Sequence, residues 1–385
     1  MSAMKSGHRF RELLYRLRTE GDTPGRQAGA VALGVFIGCS PFYGLHLVLC
    51  FIFGKLLRLN IVLAYLAAHI SLPGLWPFLV FGEIQVGRWM RGGGRLSIRP
   101  SQLRLMEPWQ FGVDLLAGSA VVGIALAVPL AFLAYRAALA RAKEPEVRDL
   151  IEETAYRYLG SGMFHWEFVR GKLRYDPVYL QILRQGLLPP EGRLLDLGCG
   201  RGILLSLLLT ARARYDRHER GLYPQGWPPP PILELHGIET GFKTASAARA
   251  ALGDQARIDI ADLRDAELPP SRAVLLLDVL HYLPAEVQED LLRRIAGALE
   301  PGGLLLIRDA DAGAGWRFTA TRIQERTCAL ARRHWKQRFH YRSAAEWSRL
   351  LESSGFAVDL QPMGMGTPYG NVLLTARRGS GPVRP

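Results

Sequence analysis

The chain has 385 residues, 49% of them hydrophobic and 22% charged, and a formal net charge of +13. That length allows two or three domains, and the composition excludes a disordered chain or a collagen-like repeat. Up to Lys143 there are 16 Lys and Arg against 6 Asp and Glu, and beyond it 32 against 29, so the excess charge lies with the long apolar runs and points to an anionic lipid surface, not to nucleic acid.

Three apolar runs occupy this first third: Ala28 to Gly54, Leu59 to Gly82, and Leu115 to Ala134. The third has 20 residues with only Ser119 polar, which is enough to span a bilayer, and Pro129 is tolerable in a membrane helix. Cys39-Ser40-Pro41 with Gly44 interrupts the first run, and Ser71-Leu72-Pro73-Gly74 the second. Both are expected as broken helices or re-entrant hairpins. The flanks are basic throughout: Lys5, Arg9, Arg11, Arg16, Arg18 and Arg26, then Arg88, Arg91, Arg95, Arg99 and Arg104, then Arg136, Arg141 and Lys143. Placing all three flanks on the cytoplasmic side requires one run to enter and leave on the same face. A cleaved signal is the competing reading of the start, but Cys39-Ser40-Pro41 is a poor cleavage site.

Thr23-Pro24-Gly25, Ala32 to Gly38, Ser40 to His46 and Arg58-Leu59-Asn60 together resemble the bacterial membrane domain of unknown function numbered 2062. The resemblance covers roughly residues 16–139 and implies membrane residence. His46 and His69 are the polar residues of interest there, as functional groups or as packing histidines.

After a linker with pre-sheet lid helices (144–192), which carries the basic and aromatic segment His165 to Pro177, the pattern changes to short apolar strands alternating with helices. Strands are expected at Leu194 to Leu197, Leu233 to Glu239, Arg257 to Ala261, Ala273 to Leu277, Leu304 to Arg308, Phe356 to Gln361 and Asn371 to Arg377. Helices are expected at Ile203 to Ala213, Thr244 to Leu252, Ala285 to Leu299 and Ala344 to Ser354. This alternation gives an α/β fold with a mostly parallel, Rossmann-like sheet. The last two strands are separated too briefly for a crossover and should pair antiparallel. The expected organisation is a helical membrane domain (1–143), the linker and lid helices, the sheet domain (193–379) and a tail (380–385).

Asp196-x-Gly198-Cys199-Gly200-x-Gly202 lies between a strand and a helix, where glycines permit a tight turn and close ligand approach. The dinucleotide fingerprint fails, because its third glycine falls on Ile203. The spacing and the leading acid instead resemble the first motif of class I S-adenosylmethionine-dependent methyltransferases. That resemblance covers roughly residues 152–378. It implies S-adenosylmethionine as cofactor, with Glu239 on the ribose hydroxyls, Asp262 and the backbone of Leu263 on the adenine, and Asp278 near the methyl group. Arg170 or Lys172 would approach the methionine carboxylate. His281 is the general-base candidate, or else packs over the cofactor, and Tyr282 shapes the acceptor site. His340-Tyr341-Arg342 and Thr367 to Asn371 would line the acceptor pocket or serve as turn and cap residues.

Leu275 to Tyr282, Trp316 to Thr319 and Phe339 to Ser343 resemble a narrower bacterial group associated with aryl polyene pigment assembly. This implies a hydrophobic, aromatic or polyene-lipid acceptor, biosynthetic partner proteins, and an enzyme on the bacterial inner membrane with its catalytic domain facing the cytoplasm. A membrane-anchored binding module without turnover, and a scaffold or transport protein, are the alternatives. The inserted stretch Arg212 to Pro231, with Tyr215, Arg217, His218, Arg220, Tyr223, Trp227 and then the four prolines Pro228 to Pro231, is expected at the sheet end opposite the ligand, as a partner or membrane surface or as a solvated excursion. Cys39, Cys50, Cys199 and Cys328 form no CxxC and no metal-ligand spacing, so reduced thiols and no metal are expected.

Overall fold

The computed structural model describes residues 23–42, 44–70, 76–93, 108–141, 144–217, 222–331, 337–364 and 366–379. The break at Ser71 to Gly74, the flanking Lys5 to Arg18, Arg95, Arg99, Arg104 and Lys143, the insertion residues His218 and Arg220, and the tail at 380–385 lie outside the described residues. The chain divides into two compact units, Met1–Pro145 and Glu146–Pro385.

The first unit is helical: α1 (Pro24–Cys39), α2 (His46–Leu56), α3 (Ile61–Ala67), α4 (Trp76–Met90) and α5 (Pro108–Arg141). Thr23 caps α1, with Pro24 in its first turn, and Asn60 caps α3 through a 2.9 Å bond from Leu63 N. Ser40-Pro41 ends α1, so the first apolar run divides into two helices, and the second divides likewise. Helices α2 and α3 are too short to cross a bilayer. Among the described residues one helix is long and apolar enough to cross, with a 31-residue stretch from Trp109 to Leu139 that continues through Pro129. Helices α4 and α5 meet backbone to backbone: a Cβ added at Gly118 would lie 1.7 Å from the carbonyl oxygen of Glu83, the close approach that small residues allow between membrane helices. His46 Nε2 lies 3.4 Å from the Ser40 carbonyl and His69 Nδ1 2.8 Å from that of Tyr65, which are local packing bonds. The buried acids of this unit, Glu83 and Asp114, went unremarked in the sequence reading. Asp114 pairs with Arg91 at 2.7 Å.

The second unit begins with α6 (Pro145–Tyr156), α7 (Met163–Tyr175) and α8 (Pro177–Arg184). There follow β1 (Glu191–Leu197), α9 (Ile203–Asp216), β2 (Ile232–Glu239), α10 (Phe242–Leu252), β3 (Arg257–Ile260) and β4 (Ser271–Leu277). The chain continues with α11 (Ala285–Ala298), β5 (Leu299–Ala310), α12 (Trp316–Ala331), α13 (Ala344–Ser353), β6 (Phe356–Pro362) and β7 (Asn371–Arg378). The seven strands form one sheet of order β3-β2-β1-β4-β5-β7-β6. Strands β1 to β5 pair in parallel, and β7 runs antiparallel to both β5 and β6. The central strands are apolar on both faces because helices cover both; Leu195, Leu197, Val274, Leu276, Leu305 and Ile307 are buried together. Register places Asp196 beside both Gly237 and Leu275, and Leu277 beside Arg308. The carboxyl ends of β1, β2, β4 and β5 therefore come out along one edge.

Two details differ from expectation. Strand β5 runs on to Ala310, because β7 pairs with it through Asn371. Helix α12 was not anticipated, since its apolar residues do not form a buried stripe. Along the inserted stretch Tyr223 stands edge-on to Tyr215 and Trp227, Arg184 stacks on Trp227, and Arg214 bonds Glu153 at 2.6 Å. Tyr215, Tyr223 and Trp227 are half-buried there.

Candidate active site

The glycine loop after β1 is a built turn. Gly198 has φ +72°, and a Cβ there would lie 2.6 Å from the Val279 side chain, so only glycine fits. Gly198 N and Cys199 N both donate to the Ile238 carbonyl, at 2.8 and 3.1 Å, and Gly202 leads into α9. Glu239, at the end of β2, holds the loop from the side. Its carboxylate accepts from Gly200 N at 2.9 Å, Gly241 N at 2.7 Å and Thr244 Oγ1 at 3.3 Å. Asp196 is buried at the end of β1; burial first, then the charge of Glu239, pushes its carboxyl up to about 7. Burial likewise pushes the Cys199 thiol well up.

Asp262 follows β3. Arg264 donates to it three times, from its backbone N and Nε at 3.0 Å and from Nη2 at 2.6 Å. The side-chain hydrogen bond from Arg264 is the main cause that pulls the carboxyl down to about 2. Leu263 is buried in the core, and its carbonyl accepts from Arg294 at 2.8 Å. The group Asp196, Gly198, Gly200, Gly202 and Glu239 is thus assembled at the β1–β2 ends, with Asp262 and Leu263 after the neighbouring strand.

Helix α7 and the segment before it close over this loop. Tyr158, fully buried, donates to the carbonyls of Arg201 at 2.8 Å and Gly202 at 3.1 Å. The Arg201 guanidinium sits 4.0 Å over the Phe168 ring and 3.0 Å from His165 Nδ1. Arg170 bonds Glu152 through Nε at 2.8 and 2.9 Å and faces α6 instead of the sheet edge. Lys172 faces that edge. It lies 2.9 Å from Asp176 and 3.7 Å from Asp278. Arg308 bonds Asp176 at 3.2 Å and also Asp278. Asp278 has φ +60°, an uncommon conformation for a non-glycine residue, and its N donates to the Arg308 carbonyl at 2.9 Å. Asp278 is thus pinned between β4 and β5.

His281 and Asp309 complete the edge. His281 Nδ1 lies 2.6 Å from Asp309 Oδ1, and the His281 backbone N donates to Oδ2 at 3.1 Å. Both side chains are almost fully buried. The carboxylate requires the proton on Nδ1. Among the described residues Nε2 has no hydrogen-bond partner, and His281 lines a cavity of about 420 Å³. Burial disfavours the imidazolium, but the charge and hydrogen bond of Asp309 outweigh it, aided by Asp278 and Glu325, and the net shift is upward. Phe168, Tyr175, Tyr341 and Tyr369 give the cavity aromatic walls, while Thr367 and Asn371 line it as well. His340 opens instead onto a neighbouring groove, and Arg342 pairs with Gln288 and Glu289. The Tyr282 ring packs 4.2 Å from that of His281, and its hydroxyl donates to Glu325 at 3.1 Å, so Tyr282 reaches the cavity through Glu325. Asp309, Arg308, Asp176, Glu325, Tyr158 and Arg201 were missed by sequence reasoning. The one available signal was Arg308-Asp309-Ala310-Asp311 at a strand's carboxyl end.

Residues 165–361, just over half of the chain, match the family described as "Methyltransferase domain". The chain belongs to that methyltransferase family. Residues 7–144 match a second family, domain of unknown function 2062, described as an uncharacterized protein conserved in bacteria. Among curated relatives of the methyltransferase domain, a carboxy-S-adenosyl-L-methionine synthase of Chromohalobacter salexigens is 30% identical over 119 residues, covering 30% of this chain and 38% of that one. A ubiquinone biosynthesis O-methyltransferase of Hahella chejuensis is 29% identical over 109 residues, covering 28% and 40%. The chain therefore spans about two fifths of the length of these curated relatives. A solved O-methyltransferase family protein from Burkholderia thailandensis is 21% identical, with 56% of this chain and 58% of that one covered and a TM-score of 0.41.

Proposed function

We propose that the protein is a membrane-tethered, S-adenosylmethionine-dependent methyltransferase that methylates a hydroxyl group on a hydrophobic aromatic or polyene-like small molecule, with His281 as general base. The observation that carries the reading is the buried His281–Asp309 pair, which lines a cavity with aromatic walls and whose Nε2 has no hydrogen-bond partner among the described residues.

The donor set fits the cofactor. Glu239 holds the loop through two backbone donors, and Thr244 can give up its 3.3 Å bond for the Gly241 carbonyl at 2.7 Å, which leaves about two of the carboxylate's four acceptor sites for a ribose diol. Asp262 stays ionised to accept from an adenine amino group, and the Leu263 backbone lies beside it. Asp196 supports the loop, and the Asp278–Lys172 pair borders the methyl-transfer region. When bound, S-adenosylmethionine supplies an electrophilic methyl group.

The chain's own residues do the rest. The aromatic walls orient the acceptor ring, and alignment supplies much of the acceleration in a displacement of this kind. His281 Nε2 accepts the hydroxyl proton as the oxygen becomes nucleophilic, and Asp309 stabilises the resulting imidazolium. The relative named as an O-methyltransferase is in keeping with a hydroxyl acceptor, and the aryl polyene resemblance with a hydrophobic one. The apolar stretch of α5 and the basic flanks support residence in the bacterial inner membrane with the catalytic unit in the cytoplasm. Tethering would raise the enzyme's local concentration at the bilayer where such an acceptor dissolves.

The test is to incubate membranes containing the protein with cell extract and methyl-labelled S-adenosylmethionine, then follow label into organic, polar and protein fractions. Label in the organic fraction with the intact protein, but not with a folded His281→Ala variant, supports the reading. Cofactor binding with no label in any fraction would replace it with a binding module.

A further inference from the structure

Helix α12 has two faces with different surroundings. Thr321, Gln324 and Glu325 line the cavity that holds His281. On the outer side, Trp316, Ile323 and Leu330 are exposed by 68%, 61% and 38%. Their spacing of seven residues is close to two helical turns, so they form one stripe, filled in by Ala320 and the exposed Thr319 and Thr327. Arg322 and Arg326 flank the stripe on one side and Arg317 on the other. Arg322, Arg326 and Arg338 also line a groove beside the helix, with Phe318 and Phe339. The only acid in α12 is Glu325, which belongs to the cavity side. The outer face therefore presents an apolar stripe ending in a tryptophan, bordered by arginines and without an acidic residue of its own. That is the pattern of a helix lying in the headgroup region of an anionic bilayer.

We infer that α12 is a second membrane contact of the chain, docking the catalytic unit on anionic phospholipid through Trp316, Ile323 and Leu330. The docked helix places the cavity's α12 wall at the bilayer surface. Taken with the proposed hydrophobic acceptor, this lets a membrane-dissolved substrate reach His281 without crossing water; that consequence and the first unit's hold on the membrane rest on the proposed function. The first unit keeps the chain at the membrane; α12 determines which face of the catalytic unit meets it.

The test uses the full chain in nanodiscs of phosphatidylcholine with or without phosphatidylglycerol. A spin label is placed at Thr319→Cys or Thr327→Cys in a Cys328→Ser background, leaving Trp316, Ile323 and Leu330 in place, and its accessibility to oxygen and to a water-soluble nickel chelate is compared. The expected result is an oxygen-to-nickel ratio several-fold higher in phosphatidylglycerol discs, falling in phosphatidylcholine discs and at high salt. Ile323→Glu, and separately Arg322→Glu with Arg326→Glu, should return the ratio to the water value with circular dichroism unchanged. Labels that stay nickel-accessible in phosphatidylglycerol discs overturn the inference. Protection independent of lipid charge and salt, or retained in either variant, overturns it too, by placing another protein surface over the stripe. The readout involves no methyl transfer, so it stands or falls separately from the proposed reaction.

Discussion

His281 Nδ1 is 2.6 Å from Asp309 Oδ1, joining the short 3-10 turn Leu280–Tyr282 that follows β4 to the end of the neighbouring parallel strand β5. The carboxylate also accepts from the His281 and Ala310 backbone nitrogens, at 3.1 and 2.7 Å, so it fixes the ring and its tautomer together. A base acts in its neutral form, and the His281 pKa is shifted upward. The rising limb of kcat/KM against pH should therefore lie above the ordinary histidine value. Asp309→Asn removes the cause of the upward shift, so the limb should move to lower pH while the plateau falls. Removing the base with His281→Ala should cost about 10²- to 10⁴-fold in kcat. Equilibrium binding of S-adenosylmethionine should change little in either variant; a large loss of binding would assign the pair to the cofactor instead.

Glu239 holds the glycine loop with a charged acceptor. In Glu239→Gln the hydrogen bonds from Gly200 N and Gly241 N lose charge assistance. Hydrogen bonds to charged groups are worth about 1.5–3 kcal/mol, so cofactor affinity by calorimetry should drop roughly 10- to 100-fold. An unchanged affinity would remove Glu239 from the binding site.

Asp196 makes stability depend on pH. Its carboxyl is pushed up to about 7 in the fold, while in the unfolded chain it titrates near 4, so between these values the folded state holds a proton that the unfolded state has released. Stability should therefore fall as pH rises from about 4 to about 7. Asp196→Asn cannot ionise and should lose that contribution, its thermal midpoint gaining a few degrees on the parent at pH 8 relative to pH 4. Midpoints that track the parent across this range would refute the assignment.

Arg201 joins the glycine loop to α7. Burial first, and then the Arg201 charge, holds the His165 pKa below its ordinary value. Arg201→Ala should raise that pKa, read by NMR of the ring, and should weaken cofactor binding by loosening α7 from the loop.

In the first unit, Gly118→Ala should already lower the recovery of folded protein, and Gly118→Leu should lower it further. Any Cβ at this position meets the Glu83 carbonyl, and a branched side chain forces α4 and α5 further apart. The measurement is the fraction of folded protein recovered from membranes in mild detergent.

The glycine loop and the carboxylates after β2 and β3 were legible because each is a local pattern, an apolar run ending in a small or acidic residue at a fixed offset. Asp309 was not, since the apolar run of β5 ends at Ile307 and only pairing with β7 carries the strand to Ala310. The network Lys172–Asp176–Arg308–Asp278 joins residues more than a hundred positions apart, and nothing in local spacing selects those partners. Helix α12 was hidden for the opposite reason. Its buried side includes Thr321 and Ala329 while Trp316, Ile323 and Leu330 face outward, inverting the usual code for a core helix.

The hydroxyl of Tyr158 closes on the carbonyls of Arg201 and Gly202 from a segment that the chain finishes well before β1. A fragment cut to begin at the first strand would keep every motif residue and lose this clasp, along with the Phe168 lid over Arg201. The shortest piece able to hold its ligand should therefore start near Glu146. During synthesis, residues 146–175 would leave the ribosome before the glycine loop exists and wait for it, so the pocket closes only once the loop has emerged.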